Sequence, residues 1–458
     1  MASRHPASFR DPSGFIFHSK IGLLRQINAS YQKNYEKLIS SGLFQKLVTE
    51  GLLVDHKEVD LKQFSQSSEA YKIIQPQKID FISYLYEWSF GQLQDAALLT
   101  LKIQKIALEF GMSLKDASAY NIQFFQGKPI LIDTLSFEIH KTDQPWVAYR
   151  QFCQHFLAPL VLMSYLDPRL LRLNQLFIDG IPLDLAAKLL PFKSKLNFNL
   201  FLHLHLHASS QKKHSVKNRK IIRKASFSMN SFMGLITSLE SSIKGLKWQP
   251  KGTEWADYYE ANNNYEKALS QKEKLVDEFL KVAKPTSVWD LGANTGLFSR
   301  LSADKKISTI SFDIDLEAVE LNYKAVKEQE EKFLLPLFLD LTNPPPAIGW
   351  KNQERESLVE RGPVDTVLAL ALVHHLVISN NLPLEELRDF FASICSKLII
   401  EFVPKSDSQV KKLLSTREDI FQNYEQKSFE NIFREKFKIA KSRLIPKTKR
   451  TLYLMIKI

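Results

Sequence analysis

Apolar residues recur along this chain with more than one period, and each period predicts a different element. From Ser13 to about Ile27, the runs Gly14-Phe15-Ile16-Phe17 and Leu23-Leu24-Arg25-Gln26-Ile27 flank Lys20-Ile21-Gly22 and predict two short strands around a turn. Apolar positions at helical spacing follow over Tyr31–Leu47. Leu93–Phe110 sets Leu98, Leu101, Ile106 and Leu108 among polar residues without Pro or Gly, which predicts an amphipathic helix stopping at Gly111. Trp146–Tyr165 predicts a second long apolar helix. Together these make a mixed α+β domain over residues 1–185.

Beyond about Thr253 the pattern changes. Ser287–Leu291, Ile307–Phe312, Phe333–Leu339, Val364–Val373 and Leu398–Val403 are near-continuous apolar runs, separated by helix-compatible segments such as Leu316–Glu331 and Pro383–Ser396. Strands apolar on both faces imply a parallel sheet covered by helices on each side, hence an α/β domain over residues 253–458. Arg450–Ile458 alternates and predicts an edge strand closing that sheet. Residues 186–252 read as a connector.

Charge sharpens this division. The chain of 458 residues carries 62 Lys+Arg against 50 Asp+Glu, a formal +12. Between Leu185 and Leu239 there is no Asp or Glu, while Lys188, Lys193, Lys195, Lys212, Lys213, Lys217, Arg219, Lys220, Arg223 and Lys224 all lie there. Nearly all the excess therefore belongs to the connector, where it favours a solvated segment over a general anion-binding surface. His203, His205 and His207 alternate with leucine there and would share one face of a strand, a spacing that metal sites use. No Cys or carboxylate stands near them, so a half-exposed polar stripe is the favoured reading and no metal is expected. Cys153 and Cys395 are too few for a disulfide scaffold, and no apolar run reaches the length of a membrane span. With no apolar signal core near the N-terminus, a cytoplasmic location is expected.

Only 15 glycines occur in the chain, below the usual share, so a close pair carries weight. Such a pair ends the first apolar strand of the α/β domain, in Val288-Trp289-Asp290-Leu291-Gly292-Ala293-Asn294-Thr295-Gly296-Leu297-Phe298. A strand running through a glycine turn into a helix lets backbone approach a ligand closely. Asp290 and the amides after the turn offer an acceptor and donors, and about twenty residues on Phe312-Asp313-Ile314-Asp315 offers a carboxylate suited to ribose hydroxyls. A dinucleotide fingerprint, Gly-x-Gly-x-x-Gly, is absent, because Gly292 and Gly296 are four apart and Asn294 takes the second glycine's place.

Asp-x-Gly-x-x-x-Gly after a strand, an acidic residue ending the second strand and Asp340 ending the third resemble the class I S-adenosylmethionine-dependent methyltransferases. The resemblance implies a Rossmann-like methyltransferase sheet and S-adenosyl-L-methionine as cofactor. By it, Gly292 to Gly296 line the methionine end, Asp313 holds the ribose and Asp340 lies near the adenine. Asn294 stands where many members have a third glycine, and asparagine is the side chain that best tolerates left-handed geometry. The fourth strand runs into His374-His375-Leu376, where substrate and methyl meet in this fold, so His374 or His375 is a candidate general base and His374 the favoured one. Glu401, ending the fifth strand, is a second candidate. Asn343-Pro344-Pro345-Pro346 resembles the motif of amino-methylating enzymes but follows the third strand, not the fourth, and is set aside.

The α+β domain holds a second constellation. Asp116, then Asn121, then a turn, an apolar strand and Asp133 resemble the catalytic loop of protein-kinase-like phosphotransferases, in which the first Asp orients the accepting hydroxyl while the Asn and second Asp hold magnesium. No His-Arg precedes Asp116, Thr134-Leu135 replaces Phe-Gly, and no Gly-rich loop or Val-Ala-x-Lys strand precedes residue 60, so side-chain caps of loops are an equal reading. Arg10-Asp11-Pro12-Ser13-Gly14-Phe15, the Asp-Ala-Ser-Ala-Tyr-Asn segment and the runs around His374 and Glu401 resemble, over most of the chain, bacterial methyltransferase-like proteins related to a rhizobial nodulation protein. The expectation is methyl transfer to an oxygen or nitrogen acceptor, a small molecule being favoured. The alternatives are small-molecule phosphotransfer in the first domain and RNA methylation using the basic connector.

Overall fold

The structure, a computed structural model, describes residues 3–142, 144–206, 228–252, 263–415 and 417–458. It forms two compact units. Unit 1 comprises Met1–Gln249 with Ala347–Arg355, and unit 2 comprises Pro250–Pro346 with Glu356–Ile458.

Unit 1 opens with an antiparallel sheet of β1 (Ser3–Arg4), β2 (Gly14–Ser19), β3 (Gly22–Asn28), β4 (His56–Val59) and β5 (Ala70–Pro76), in the order β1-β2-β3-β5-β4. Alternation along β3 and β5 sends Leu24 and Ile73 to one face with Phe17, and Ile27 and Ile74 to the other with Tyr31, Tyr35 and Leu135. The helix expected over Tyr31–Leu47 is two, α1 (Gln32–Ser40) and α2 (Leu43–Thr49), because Gly42 takes a left-handed φ of 85° between them. The long helix α3 (Phe90–Glu109) starts in a capping box in which Ser89 Oγ accepts from the Gln92 amide and the Gln92 side chain accepts from the Ser89 amide. It leads to β6 (Met112–Leu114), the hairpin of β7 (Ile122–Phe125) and β8 (Lys128–Leu131), and β9 (Phe137–Ile139), which returns to pair with β6.

Much of the expected connector belongs to unit 1. Helix α4 (Met229–Gly245) buries Phe232, Ile236, Leu239 and Ile243, a stripe at helical spacing that composition alone conceals. It lies on α3 through the Lys105–Glu240 ion pair and through Gln94, whose amide donates to the carbonyls of Ile243 and Leu246. The lysine-rich core of the connector, Lys212 to Lys224, lies outside the described residues. Unit 1 also takes the segment 347–355 from between two strands of the other unit's sheet. Here Arg10 pairs with the buried Glu354 at 2.7 Å, and the Arg355 guanidinium stands 3.8 Å from the Tyr120 ring centroid.

In unit 2, α5 (Asn263–Ala283) precedes a seven-stranded sheet of β10 (Ser287–Leu291), β11 (Ser308–Asp313), β12 (Leu334–Phe338), β13 (Val364–Ala369), β14 (Cys395–Phe402), β15 (Phe437–Leu444) and β16 (Thr451–Lys457), ordered β12-β11-β10-β13-β14-β16-β15. The first five are parallel, as their doubly buried sequences require, and β16 runs antiparallel to both neighbours. The expected edge strand, β16, is thus internal. The edge belongs to β15, whose Lys438 and Arg443 are exposed as charges are on strands that must not pair further, while Lys441 pairs with Glu278 of α5 at 3.1 Å. β13 stops at Ala369, four residues short of the expected Val373, since Ala371 takes φ 52° and a helical turn begins by His375. Strand order reverses between β10 and β13, and the carboxyl ends of the strands at such a switch point are where open α/β sheets bind ligands.

Candidate functional site

The glycine turn leaves the carboxyl end of β10 at this switch point. Gly292, Asn294 and Gly296 all have left-handed φ, of 79°, 51° and 83°. A Cβ on Gly296 would stand 2.5 Å from the Asn322 side-chain amide, so glycine there is a packing requirement of the strand-to-helix turn. The Gly292 and Ala293 amides both donate to the Phe312 carbonyl at 2.9 Å, fastening the turn to the end of β11. Asp313 completes the fastening: Oδ2 accepts from the Asn294 amide at 2.6 Å and Oδ1 from the Asp315 amide at 2.8 Å. Burial pushes its carboxyl up to about 6 against those bonds. Asp290 faces inward, where Oδ2 accepts from Ser299 on α6 (Leu297–Ala303) at 2.7 Å, and burial pushes it to about 7. It therefore holds α6 to β10. Asp340 caps its own turn through Thr342, at 2.9 Å from the amide and 2.6 Å from the hydroxyl.

Across the switch point, His374 and His375 pack with ring centroids 4.1 Å apart and planes tilted by 41°. His374 is sealed from solvent, and neither ring nitrogen has a hydrogen-bond partner. Burial, then His375, Arg450 and Lys272, hold it well below the usual histidine range; burial and Arg450 lower His375, which is only half-buried. Both rings are neutral at physiological pH.

Glu401 is fully buried at the end of β14. Its Oε2 accepts from Lys272 Nζ at 2.6 Å and from the Ala371 amide at 2.9 Å, and Arg450 approaches Oε1 at 3.4 Å. Burial raises this carboxyl, but Lys272 and Arg450 outweigh burial and leave it below its ordinary value. Glu401 is thus a fixed anion, unsuited to exchanging protons near neutrality. Lys272 also stands 4.6 Å from the Phe298 ring centroid on α6, tying this network to the helix that follows the glycine turn. A cavity of about 380 Å³ opens beside it, walled by Ala268, Leu269 and Lys272 of α5, Glu401, Asp407 to Gln409, and the Ile445–Arg450 turn. The sequence reading missed Lys272, Asp407, Lys447 and Arg450. One signal was present: Lys272 interrupts the buried stripe Ala268, Val276, Phe279 and Ala283 at helical spacing.

In unit 1, Asp116, Asn121 and Asp133 come together. Burial, then Asp133, raises the Asp116 carboxyl, and bonds from Ser118, Asn121 and Gln151 oppose this. Asp133, however, is committed: it accepts from the Leu135 amide at 2.9 Å and Ser136 Oγ at 2.8 Å, and it pairs with Arg25 at 2.5 Å. His203 and His205 lie on a wide helical turn, Phe201–Leu206, instead of a strand. His203 bonds Tyr149 and Ser238, and His205 bonds Ser194; His207 is outside the described residues. Among the described residues no group of three or more His, Cys, Asp or Glu gathers as for a metal ion, and no helix is long and apolar enough to cross a membrane.

No family model matches the chain. Over 458 residues it is 36% identical to the nodulation protein NoeA of Rhizobium meliloti (strain 1021), an alignment that covers 98% of this chain and 95% of that protein. Among solved structures it resembles magnesium protoporphyrin IX methyltransferase (ChlM) from Synechocystis PCC 6803 with bound SAH, at 18% identity and TM-score 0.32, over 43% of this chain and 89% of that one. It also resembles monomeric WbdD, at 18% identity and TM-score 0.29, over 47% of each chain.

Proposed function

The chain belongs to the family of the nodulation protein NoeA, and from that premise we propose that it is an S-adenosyl-L-methionine-dependent methyltransferase in which unit 2 holds both cofactor and acceptor. The observation that carries this reading is the left-handed turn Gly292–Gly296 fastened to Asp313 at the sheet's switch point. The residues fit the cofactor. The Asp313 carboxylate is served by the backbone amides of Asn294, Asp315 and Ile314, and with about four acceptor sites on its two oxygens it keeps capacity for a ribose hydroxyl. The bare Gly292 Cα permits close approach beside Leu372. Asp290 keeps α6 against β10, and the family resemblance supports Asp340 at the adenine end.

When bound, the cofactor supplies an electrophilic methyl group on its sulfonium. The chain's own work is to orient an oxygen or nitrogen lone pair and receive the proton that this atom gives up. That proton falls to neutral His375, the more accessible ring of the pair, against which the sealed His374 packs. A cavity of about 380 Å³ favours a small molecule as acceptor.

Calorimetric titration of the full chain with S-adenosylhomocysteine tests the reading. Binding is expected, weakened roughly 10- to 100-fold by Asp313→Ala through lost charge-assisted hydrogen bonds. No binding at millimolar ligand refutes the proposal.

A further inference from the structure

The cavity beside Glu401 is lined by three cations, Lys272, Lys447 and Arg450, and two carboxylates, Glu401 and Asp407. Both carboxylates are already served. Glu401 holds Lys272 and the Ala371 amide, and Asp407 takes Arg450 through Nε at 2.8 Å and Nη2 at 3.0 Å while also accepting from the Gln409 amide. One positive charge is left over. It falls on Lys447, which has no ion-pair partner among the described residues and sits exposed on the turn joining β15 to β16. Its backbone is in the left-handed region at φ 63°, held by the neighbouring turn in which the Ile445 amide donates to the Arg450 carbonyl at 2.9 Å and the Thr448 amide to the Ile445 carbonyl at 3.1 Å. Ser408 and Gln409 add polar side chains to the same wall, and Ala268, Leu269 and Ile445 make the rest apolar.

We propose that the methyl acceptor is a small carboxylic acid, its carboxylate seated at Lys447 and its apolar body against Ala268, Leu269 and Ile445. The inference rests on the methyltransferase reading of unit 2 and narrows its substrate class. A monoanion is the matching ligand. A phosphate group, near two negative charges at neutral pH, would leave one in excess beside Glu401 and Asp407. Position supports the assignment, because the cavity lies at the strands' carboxyl ends on the β14–β16 half of the sheet, across the switch point from the glycine turn.

The test is calorimetry on the full chain saturated with S-adenosylhomocysteine, using matched acid and amide probes: 4-hydroxybenzoate against 4-hydroxybenzamide, and 4-hydroxyphenylacetate against 4-hydroxyphenylacetamide. In at least one pair the acid is expected to bind ten times more tightly than the amide or better. Lys447→Gln should erase that preference, and Lys449→Gln, on the same turn but outside the cavity wall, should preserve it. Glutamine tolerates a left-handed φ about as well as lysine, so the variant leaves the turn's strain unchanged. No acid preference in either pair, no probe binding at millimolar concentration, or a preference that survives Lys447→Gln overturns the proposal. Affinity for S-adenosylhomocysteine reports separately on the cofactor reading: its loss in the parent protein refutes that reading, whereas intact cofactor binding without acid preference refutes only the acceptor class.

Discussion

Replacing Glu401 by glutamine keeps volume and removes one charge from a place with no solvent to compensate. The carboxylate is fully buried, and the side chains of its two cationic neighbours are only about one-tenth exposed. Arg450 keeps its two-pronged grip on Asp407, so the stranded charge is Lys272, left with the Phe298 ring. Breaking one side of a buried pair costs about 3–5 kcal/mol. Arg450's retained partner and the slight exposure of Lys272 place Glu401→Gln near ~3 kcal/mol, which is about a hundredfold in an opening equilibrium. Hydrogen exchange read by mass spectrometry on peptides covering Cys395–Phe402 and Thr451–Lys457 measures that opening in the strands that carry the network. Adding Lys272→Met removes the stranded cation and should recover at least half the loss, the non-additivity expected of direct partners. Exchange within tenfold of the parent, or a double variant as unstable as the two single losses combined, would refute this account.

Three further outcomes follow from the same geometry. Asp290 has a folded pKa of about 7 against an ordinary 3.8, so the folded protein keeps a proton that the unfolded chain releases between them. Its contribution is complete below the ordinary value and is lost as pH climbs to about 7, so Asp290→Asn should gain in melting temperature on the parent between pH 5 and pH 8; a constant difference contradicts the raised pKa. His374→Leu buries a similar volume without two unpartnered nitrogens and should stabilise by ~1–2 kcal/mol, and a fall in melting temperature would show that the ring is satisfied. Because Asp133 is committed to Arg25, Leu135 and Ser136, magnesium with ATP should leave the melting temperature unmoved. A rise that Asp133→Ala abolishes would restore the phosphotransferase reading.

The glycine-turn side of unit 2 was legible because it is local. Strands buried on both faces announce themselves as apolar runs, and the turn from Gly292 to Gly296, with Asn294 in the left-handed region, occupies five consecutive residues. The buried ion network was not, since Lys272, Glu401 and Arg450 converge from positions far apart in sequence and no short spacing encodes them. β15 escaped notice because an edge strand facing water has the polarity of a loop. The His-Leu alternation at 203–206 misled for a related reason: over so few residues it fits a helical turn as well as a strand.

The segment 347–355 bears on how this protein can be inherited. The chain leaves unit 1 after Gln249, re-enters it at Ala347 and departs again after Arg355. Cutting the gene after Gln249 yields an upstream product whose Arg10 has lost Glu354 and whose Tyr120 has lost Arg355. The downstream product carries nine residues that belong elsewhere. A single cut after Gln249 therefore leaves neither unit with its own residues and no others.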